Sequence, residues 1–555
     1  MSTNPLLNQT GLPLFSQIQA AHIVPAMEQL LDEARDTVKQ ALANNSHYTW
    51  DNLIAPIDAA EDKITRAWSP VSHMNSVTNN DELRDAYNTC LPKLSEYSTE
   101  MGQHDALFQA YTSIAENEAY ADLSTAQQKI IQNSLRSFRL SGIALDDEKK
   151  SQYKDINLEL SKLTSRYEEN LLDATNDWSK LIKKKSDLAG LPESALQQAK
   201  QTAEMEDQKG WMLTLQFPSY LAVMTYADDR QLRADMYKAF STRASELGSN
   251  PDWDNTEIMD SLIALRHKKA QLLGFENYAE LSLATKMADT PKQVIDFLEE
   301  LAIKSLPQAK QDLDALSIFA SENYNINKLF AWDVGYFSEK MRQYNYDLSQ
   351  EEVKQYFPAP KVLSGLFKVV EKLYGLHITE ESGVDTWEES GVDTWHEDVR
   401  FFQIHDKVGE LRGKFYIDLY ARAQKRGGAW MDDCVGRKQT PEGLQIPVAY
   451  LTCNFTPPTA NNPALLTHDE VLTLFHEFGH GLQHMLTKVD YLGVSGINGV
   501  EWDAVELPSQ FMENWCWEKE ALDLISGHYQ TGEALPDALF NKMLAAKNFQ
   551  AGMLM

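Results

Sequence analysis

The chain has 555 residues and a formal charge of -30, with 43% hydrophobic and 10% aromatic residues. That length exceeds what one hydrophobic core organises, so at least two lobes are expected, and the apolar content excludes general disorder. The charge excludes nucleic acid or an anionic membrane as a main partner, because nothing would offset phosphate repulsion. The opening "MSTNPLLNQTGLPLFSQIQ" lacks a basic segment followed by an apolar run, so no secretory signal is expected. No apolar stretch approaches the roughly 20 residues of a spanning helix. Cys90, Cys434, Cys453 and Cys516 form no C-x-x-C pair. A reducing compartment and a cytoplasmic protein are the resulting expectation.

The first two hundred residues read as helix after helix, with amphipathic stretches at 24–43, 82–100 and 124–140. Ile156, Leu160, Leu163, Tyr167, Leu171, Ala174 and Trp178 recur by threes and fours. They predict one apolar face of a long bundle helix. "KSDLAGLPESALQQAK" (185–200) holds Gly and Pro before a helix start and marks a joint. Helical patterning continues from 214 to 350, including a helix capped at Asn255 or Thr256 and ended by Gly274. Then "EESGVDTW" occupies 380–387 and recurs unchanged at 388–395. Two copies of a polar octapeptide are too few for a repeat fold and read as an accidental duplication or an assembly error, which a surface loop there could absorb at little cost. "VRFFQIH" (399–405) and "GKFYIDLYAR" (413–422) predict a hairpin, and "IPVAYLTCNF" (446–455) a third strand. The expected fold is mainly α, with a small sheet just before a histidine-rich segment.

That segment is "LTHDEVLTLFHEFGHGLQH", Leu466 to His484. Thr467 with Glu470 forms a capping-box pattern, so a helix should begin there. Val471, Leu472, Leu474, Phe475, Phe478 and Leu482 supply its buried surface. His476 and His480 stand four apart on one face, which lets two imidazoles converge on one ion, zinc being the expected one. Glu477 leaves the helix beside that ion, within reach of a water rather than as a ligand. Gly479 sacrifices helix stability, which points to close packing against the backbone. His468, in the first turn, is expected to be exposed. His484, a further turn along, is expected to pack or support rather than ligate.

A third ligand must come from elsewhere. The positions where metzincins place Gly and His hold Gln483 and Leu486. Downstream, "DYLGVSGINGVEWDAVELPSQFMENWCWE" carries Asp503, Glu506, Gln510 and Glu513 at steps of three, four and three, a polar stripe on an otherwise apolar segment. A buried stripe of carboxylates needs a partner for its charge. Spacing alone leaves both Asp503 and Glu506 as ligands. Pro508 is expected to kink a helix at the turn containing Glu506.

"FHEFGHGLQH" with "WDAVELPSQFMENW" resembles the thimet oligopeptidase family of zinc metallopeptidases, and most closely its bacterial members. The likeness extends to "LPLFSQIQAAHIVPAMEQLL", "FPSYLAVMTYADDRQLRADMYKAF", "LRHKKAQLLGFENYAELSLATKMA" and "RGGAWMDDC". The resemblance implies that Glu506 is the third ligand, with one Zn²⁺ held by His476, His480 and Glu506 and with Glu477 as the base. Asp503 then becomes a candidate to orient a ligand histidine through its other ring nitrogen. The resemblance also implies a monomer with two helical lobes around a deep channel, 1–213 as the N-terminal lobe and 214–555 as the catalytic region. It implies cleavage of short oligopeptides, signal-peptide fragments among them. The chain departs from the pattern in two places. Gln483 stands where the family usually has a histidine, and the sequence stops at "NFQAGMLM", where family members continue through another helical region. A C-terminally shortened chain is therefore expected. The alternative reading is a remnant that binds zinc and peptide with impaired turnover.

Overall fold

The computed structural model describes residues 4–8, 10–43, 47–381, 392–459 and 462–554. Nineteen α-helices among them accompany a five-stranded sheet and two two-stranded ribbons, so the chain is mainly helical, as its patterning predicts. In the first long helix, Ala20–Ala43, buried Ile23, Ala26, Met27, Leu30, Leu31, Ala34 and Val38 repeat at helical spacing. The next expected helices run Asp81–Gly102 and Thr125–Leu140. Asn80 caps the first by accepting from the Leu83 amide at 2.9 Å, and Ser124 with Gln127 closes a capping box on the second.

The long bundle helix spans Asp147–Asp177. Its apolar stripe is mostly half-buried rather than sealed, because it lies across two neighbours, Asp81–Gly102 and Thr256–Leu272. Asn255 precedes the latter helix but does not cap it with its side chain. Its amide bridges to the long helix instead, accepting from Asn170 at 2.8 Å and donating to the Tyr167 carbonyl at 3.0 Å. The joint at 185–200 resolves into a short turn, Lys185–Leu188, and a helix from Glu193.

The five-stranded sheet is ordered Leu376–Glu380, Arg400–Asp406, Leu411–Tyr420, Val448–Phe455, Trp430–Val435. The hairpin and third strand fall where the sequence places them. The third strand lies parallel to Leu411–Tyr420, and the other pairings are antiparallel. The four short strands of the two ribbons escaped the sequence reading, and so did two strands of this sheet. "LHITE" is a brief run directly after a helix, and "WMDDCV" is interrupted by Asp432 and Asp433. The octapeptide repeat falls largely on residues 382–391, outside the described residues. The end of its second copy is no polar loop: Asp393 Oδ2 accepts from the Ser16 hydroxyl at 2.7 Å, and the Trp395 ring packs 4.9 Å from Phe15.

Alternation of side chains gives the sheet two apolar faces. Phe402, Ile404, Phe415, Ile417 and Leu451 face a core shared with the helices Ala359–Tyr374 and His468–Met485. Phe401, Tyr416, Val448 and Tyr450 face a second core shared with the N-terminal helices. The histidine-rich helix thus lies on a platform braced from behind.

His73 sits in the rear core with neither ring nitrogen hydrogen-bonded among the described residues. It stacks 3.9 Å from Tyr450 and meets Trp395 edge-on at 4.2 Å. Burial, helped by Lys425, Arg422 and Arg426, pushes its pKa down to about 3. A histidine depressed on folding is protonated first in the unfolded chain. Its neutral burial is therefore fully tolerated above pH 6.5 and costs stability as pH falls from there toward 3, by roughly 1.4 kcal/mol per unit. His73→Phe, which keeps the stacking, is expected to move the acid-unfolding midpoint to lower pH, followed by far-ultraviolet circular dichroism. An unchanged midpoint would show that His73 contributes nothing to acid lability.

Candidate metal centre

The motif helix runs His468–Met485 and begins as the sequence requires. Thr467 Oγ1 accepts from the Glu470 amide at 3.2 Å, and Glu470 accepts from the Thr467 amide at 2.8 Å. Val471, Leu474, Phe475, Phe478 and Leu482 are buried against the sheet, which turns the opposite face outward. On that face His476 Nε2 and His480 Nε2 lie 3.1 and 3.2 Å from one oxygen, Glu506 Oε2. All three candidate ligand atoms fall within 4.8 Å of one another, the one such cluster among the described residues.

Protonation shows what this convergence needs. His476 Nδ1 stands 2.7 Å from Glu513 Oε1. A carboxylate accepts, so Nδ1 carries a proton and donates to Glu513, which leaves Nε2 as the ring atom that turns toward Glu506 Oε2 and His480. A proton on Nε2 or a metal ion can each hold Nε2 and the carboxylate together, and the metal also engages His480. Two imidazoles and one carboxylate, with a carboxylate behind the first imidazole, fit a tetrahedral zinc that keeps its fourth position open.

Glu506 comes into place through backbone geometry. The segment before it is a single turn, Trp502–Ala504, and the helix begins at Leu507. The expected kink at Pro508 is therefore absent: proline occupies the first turn of a new helix, where its missing N–H costs nothing. Ser509 Oγ donates to Glu506 Oε2 at 2.8 Å, which orients the carboxylate. Gly479 permits the approach. A Cβ there would stand 2.5 Å from the Pro508 carbonyl oxygen and 2.6 Å from Ser509 Cα, so the two helices meet backbone to backbone, as the glycine suggested.

Glu477 is only 6% exposed, and its carboxylate makes no hydrogen bond among the described residues. Burial pushes it up to about 7, with Glu506 adding to the rise and His476 opposing it. Burial likewise lowers the pKa of His480, which favours the neutral imidazole a metal ligand requires.

Two further expectations change. Asp503 is not behind a histidine: its oxygens accept from the backbone amides of Met287 and Ala288 at 3.0 Å each, because its turn precedes the ligand helix and points away. The carboxylate behind His476 is Glu513, seven residues after Glu506 and so two helical turns further on the same face. The stripe contained it, but spacing could not assign the role. His468 is not exposed either: its Nε2 lies 2.8 Å from the Cys516 carbonyl, and its ring packs 4.4 Å from Trp517. His484 is buried, and its Nε2 donates to the Val435 carbonyl at 3.0 Å, pinning the helix to the edge strand. Gln483 donates to the Gly496 carbonyl at 3.2 Å and steadies the glycine-rich loop.

The role of Glu513 has a direct test. Glu513→Ala is expected to weaken zinc affinity by about 10–100-fold, the usual cost of removing such a partner. Competition with a chromophoric chelator would measure this, and an unchanged affinity would remove Glu513 from the site.

A helix carrying H-E-x-x-H, closed by a carboxylate from a second helix, defines a metallopeptidase. The chain belongs to peptidase family M3, which it matches over residues 223–555, and residues 27–150 match the neurolysin/thimet oligopeptidase N-terminal domain. Among curated proteins it is 54% identical to oligopeptidase A of Haemophilus influenzae and to oligopeptidase A of Escherichia coli, each over 99% of this chain and 80% of the relative. It is 40% identical to the organellar oligopeptidase A of Arabidopsis thaliana, over 100% of this chain and 70% of that one. The solved structure of PZ peptidase A with an inhibitor shares the fold, with a TM-score of 0.50 at 16% identity, over 97% of this chain and 74% of that one.

Proposed function

We propose that the protein is a zinc-dependent oligopeptidase that cleaves internal bonds of short, unstructured peptides, with one Zn²⁺ per chain held by His476, His480 and Glu506. One observation carries the reading: the convergence of three atoms able to ligate a metal next to a buried, unbonded carboxylate, Glu477. When bound there, zinc supplies Lewis acidity for a water and for the scissile carbonyl. Glu477 accepts the water's proton at its free carboxylate and passes it to the departing amine. Burial raises its proton affinity above that of an ordinary carboxyl, which suits a group that both takes and returns a proton. Glu513 holds the His476 tautomer, and Ser509 holds the Glu506 rotamer.

The relatives named oligopeptidase A support peptides as the substrate class. In this reading the protein works as a cytoplasmic monomer, with signal-peptide fragments among its substrates, and residues 1–213 bound the substrate channel from the side opposite the catalytic region, 214–555. A quenched fluorescent peptide of about ten residues, with and without chelator, tests the activity. Cleavage that chelator abolishes and zinc restores is expected. Cleavage indifferent to chelator would overturn the proposal.

A further inference from the structure

A cavity of about 380 Å³ lies between the N-terminal helices and the segment that follows Tyr278. Its volume falls in the range of small-ligand sites. Lys269 and Lys286 line it, with the hydroxyl-bearing residues Ser137, Ser141, Ser282 and Thr285 around them. The chain carries 81 acidic residues against 51 basic ones, yet neither lysine touches a carboxylate among the described residues, and Lys286 acts on Asp503 only through space. Lys269 Nζ donates to Asn157 Oδ1 at 2.8 Å and stands 5.1 Å from the Tyr153 ring centroid. Lys286 Nζ donates to the Ser282 carbonyl and hydroxyl at 2.8 and 2.7 Å. An ammonium has three donors, so both keep donors free. Tyr153 has spent its hydroxyl on the Leu140 carbonyl at 3.1 Å, which leaves the lysines to set the cavity's charge.

The cavity is tied to the metal centre. The amides immediately after Lys286, those of Met287 and Ala288, are the ones that hold Asp503. Asp503 is three residues from Glu506. Lys129, on the same Thr125–Leu140 helix as the lining residues Ser137 and Leu140, pairs with Glu501 at 3.6 Å. Chain geometry alone puts Lys286 within about 20 Å of the triad, a distance that roughly five or six extended residues span.

We propose that this cavity is a substrate subsite that binds a carboxylate of the peptide, several residues from the bond that is cut, through Lys269 and Lys286. The inference rests on the oligopeptidase reading. It gives the enzyme a length gauge, since a carboxylate held at a fixed distance favours peptides that reach from the cavity to the metal. The carboxylate has two sources, the free C-terminus or an acidic side chain near it.

The test uses one quenched peptide sequence in three forms: free acid, C-terminal amide, and amide with Glu as its last residue. The expected result is a KM five- to tenfold lower for the free acid than for the amide, an advantage that falls toward one in the double variant K269M/K286M. Lys292→Met, an exposed lysine nearby, serves as a control for net charge and should keep the advantage. A Glu-bearing amide that matches the free acid identifies any nearby carboxylate as the ligand, whereas one that matches the plain amide identifies the terminus. Equal KM for acid and amide in the unaltered protein overturns the proposal, as does an advantage that survives the double variant. If no form is cut, the oligopeptidase reading fails on its own. Anisotropy of a labelled acid and amide then decides the subsite separately, with equal affinity overturning it.

Discussion

Glu477→Gln lowers kcat/KM for an oligopeptide by about 10²–10⁴-fold and leaves the metal content unchanged. The substitution keeps volume and polarity and removes only the ability to take a proton. Nothing else on the motif helix can replace it: His476 and His480 are directed at Glu506, and His484 is bonded to Val435 on the far side. A thousandfold loss corresponds to about 4 kcal/mol of transition-state stabilisation. Retained zinc would distinguish this outcome from damage to the site, because Glu477 is not among the converging atoms. Full activity would remove Glu477 from the mechanism, and loss of the metal would make it a ligand.

Asp418→Asn has the largest expected effect on stability, about 3–5 kcal/mol. The Asp418 side chain is fully buried, and so is that of its partner Lys425, at 2.7 Å. Arg422 closes on it at 2.7 Å and the Trp395 indole donates at 2.9 Å. Burial alone would raise the Asp418 pKa, but Arg422 and Lys425 outweigh it and hold the carboxyl far below the usual range. Asparagine leaves a buried and a half-buried cation without their counter-charge. Lys425 also donates to the carbonyls of Tyr420 and Cys453, at 2.8 and 2.6 Å, so the cluster ties together two strands of the sheet under the motif helix. The unfolding temperature by calorimetry should fall sharply, and zinc affinity should weaken with the platform. Lys425→Met is expected to cost less, since Arg422 still neutralises Asp418. An unchanged unfolding temperature for Asp418→Asn would show that the cluster contributes little.

The same two regions show where sequence is informative. Helix positions, the capping box at Thr467 and the close approach at Gly479 follow from local periodicity and local chemistry, and residue spacing carries both. His476 and His480 were legible for the same reason, because four residues on a helix fix their relation. Glu506 and Asp503 could not be separated by spacing. The choice between them depends on where one helix ends and the next begins, and the backbone break before Leu507 decides it. The Asp418 cluster left no local signal: it joins residues from a strand, a loop and the end of the repeated octapeptide. Two edge strands were missed because one is short and the other carries charges. Glu513 lay in plain view in the polar stripe, but its role depends on a partner 37 residues away.

The central claim is that His476, His480 and Glu506 together hold one zinc on which turnover depends. Elemental analysis of the purified protein and of Glu506→Ala, each paired with a peptide-cleavage assay, tests it most directly. One zinc per chain and chelator-sensitive cleavage are expected in the first, with zinc and cleavage both lost in the second. Stoichiometric zinc retained by Glu506→Ala, or cleavage by the unaltered chain without any bound metal, would contradict it.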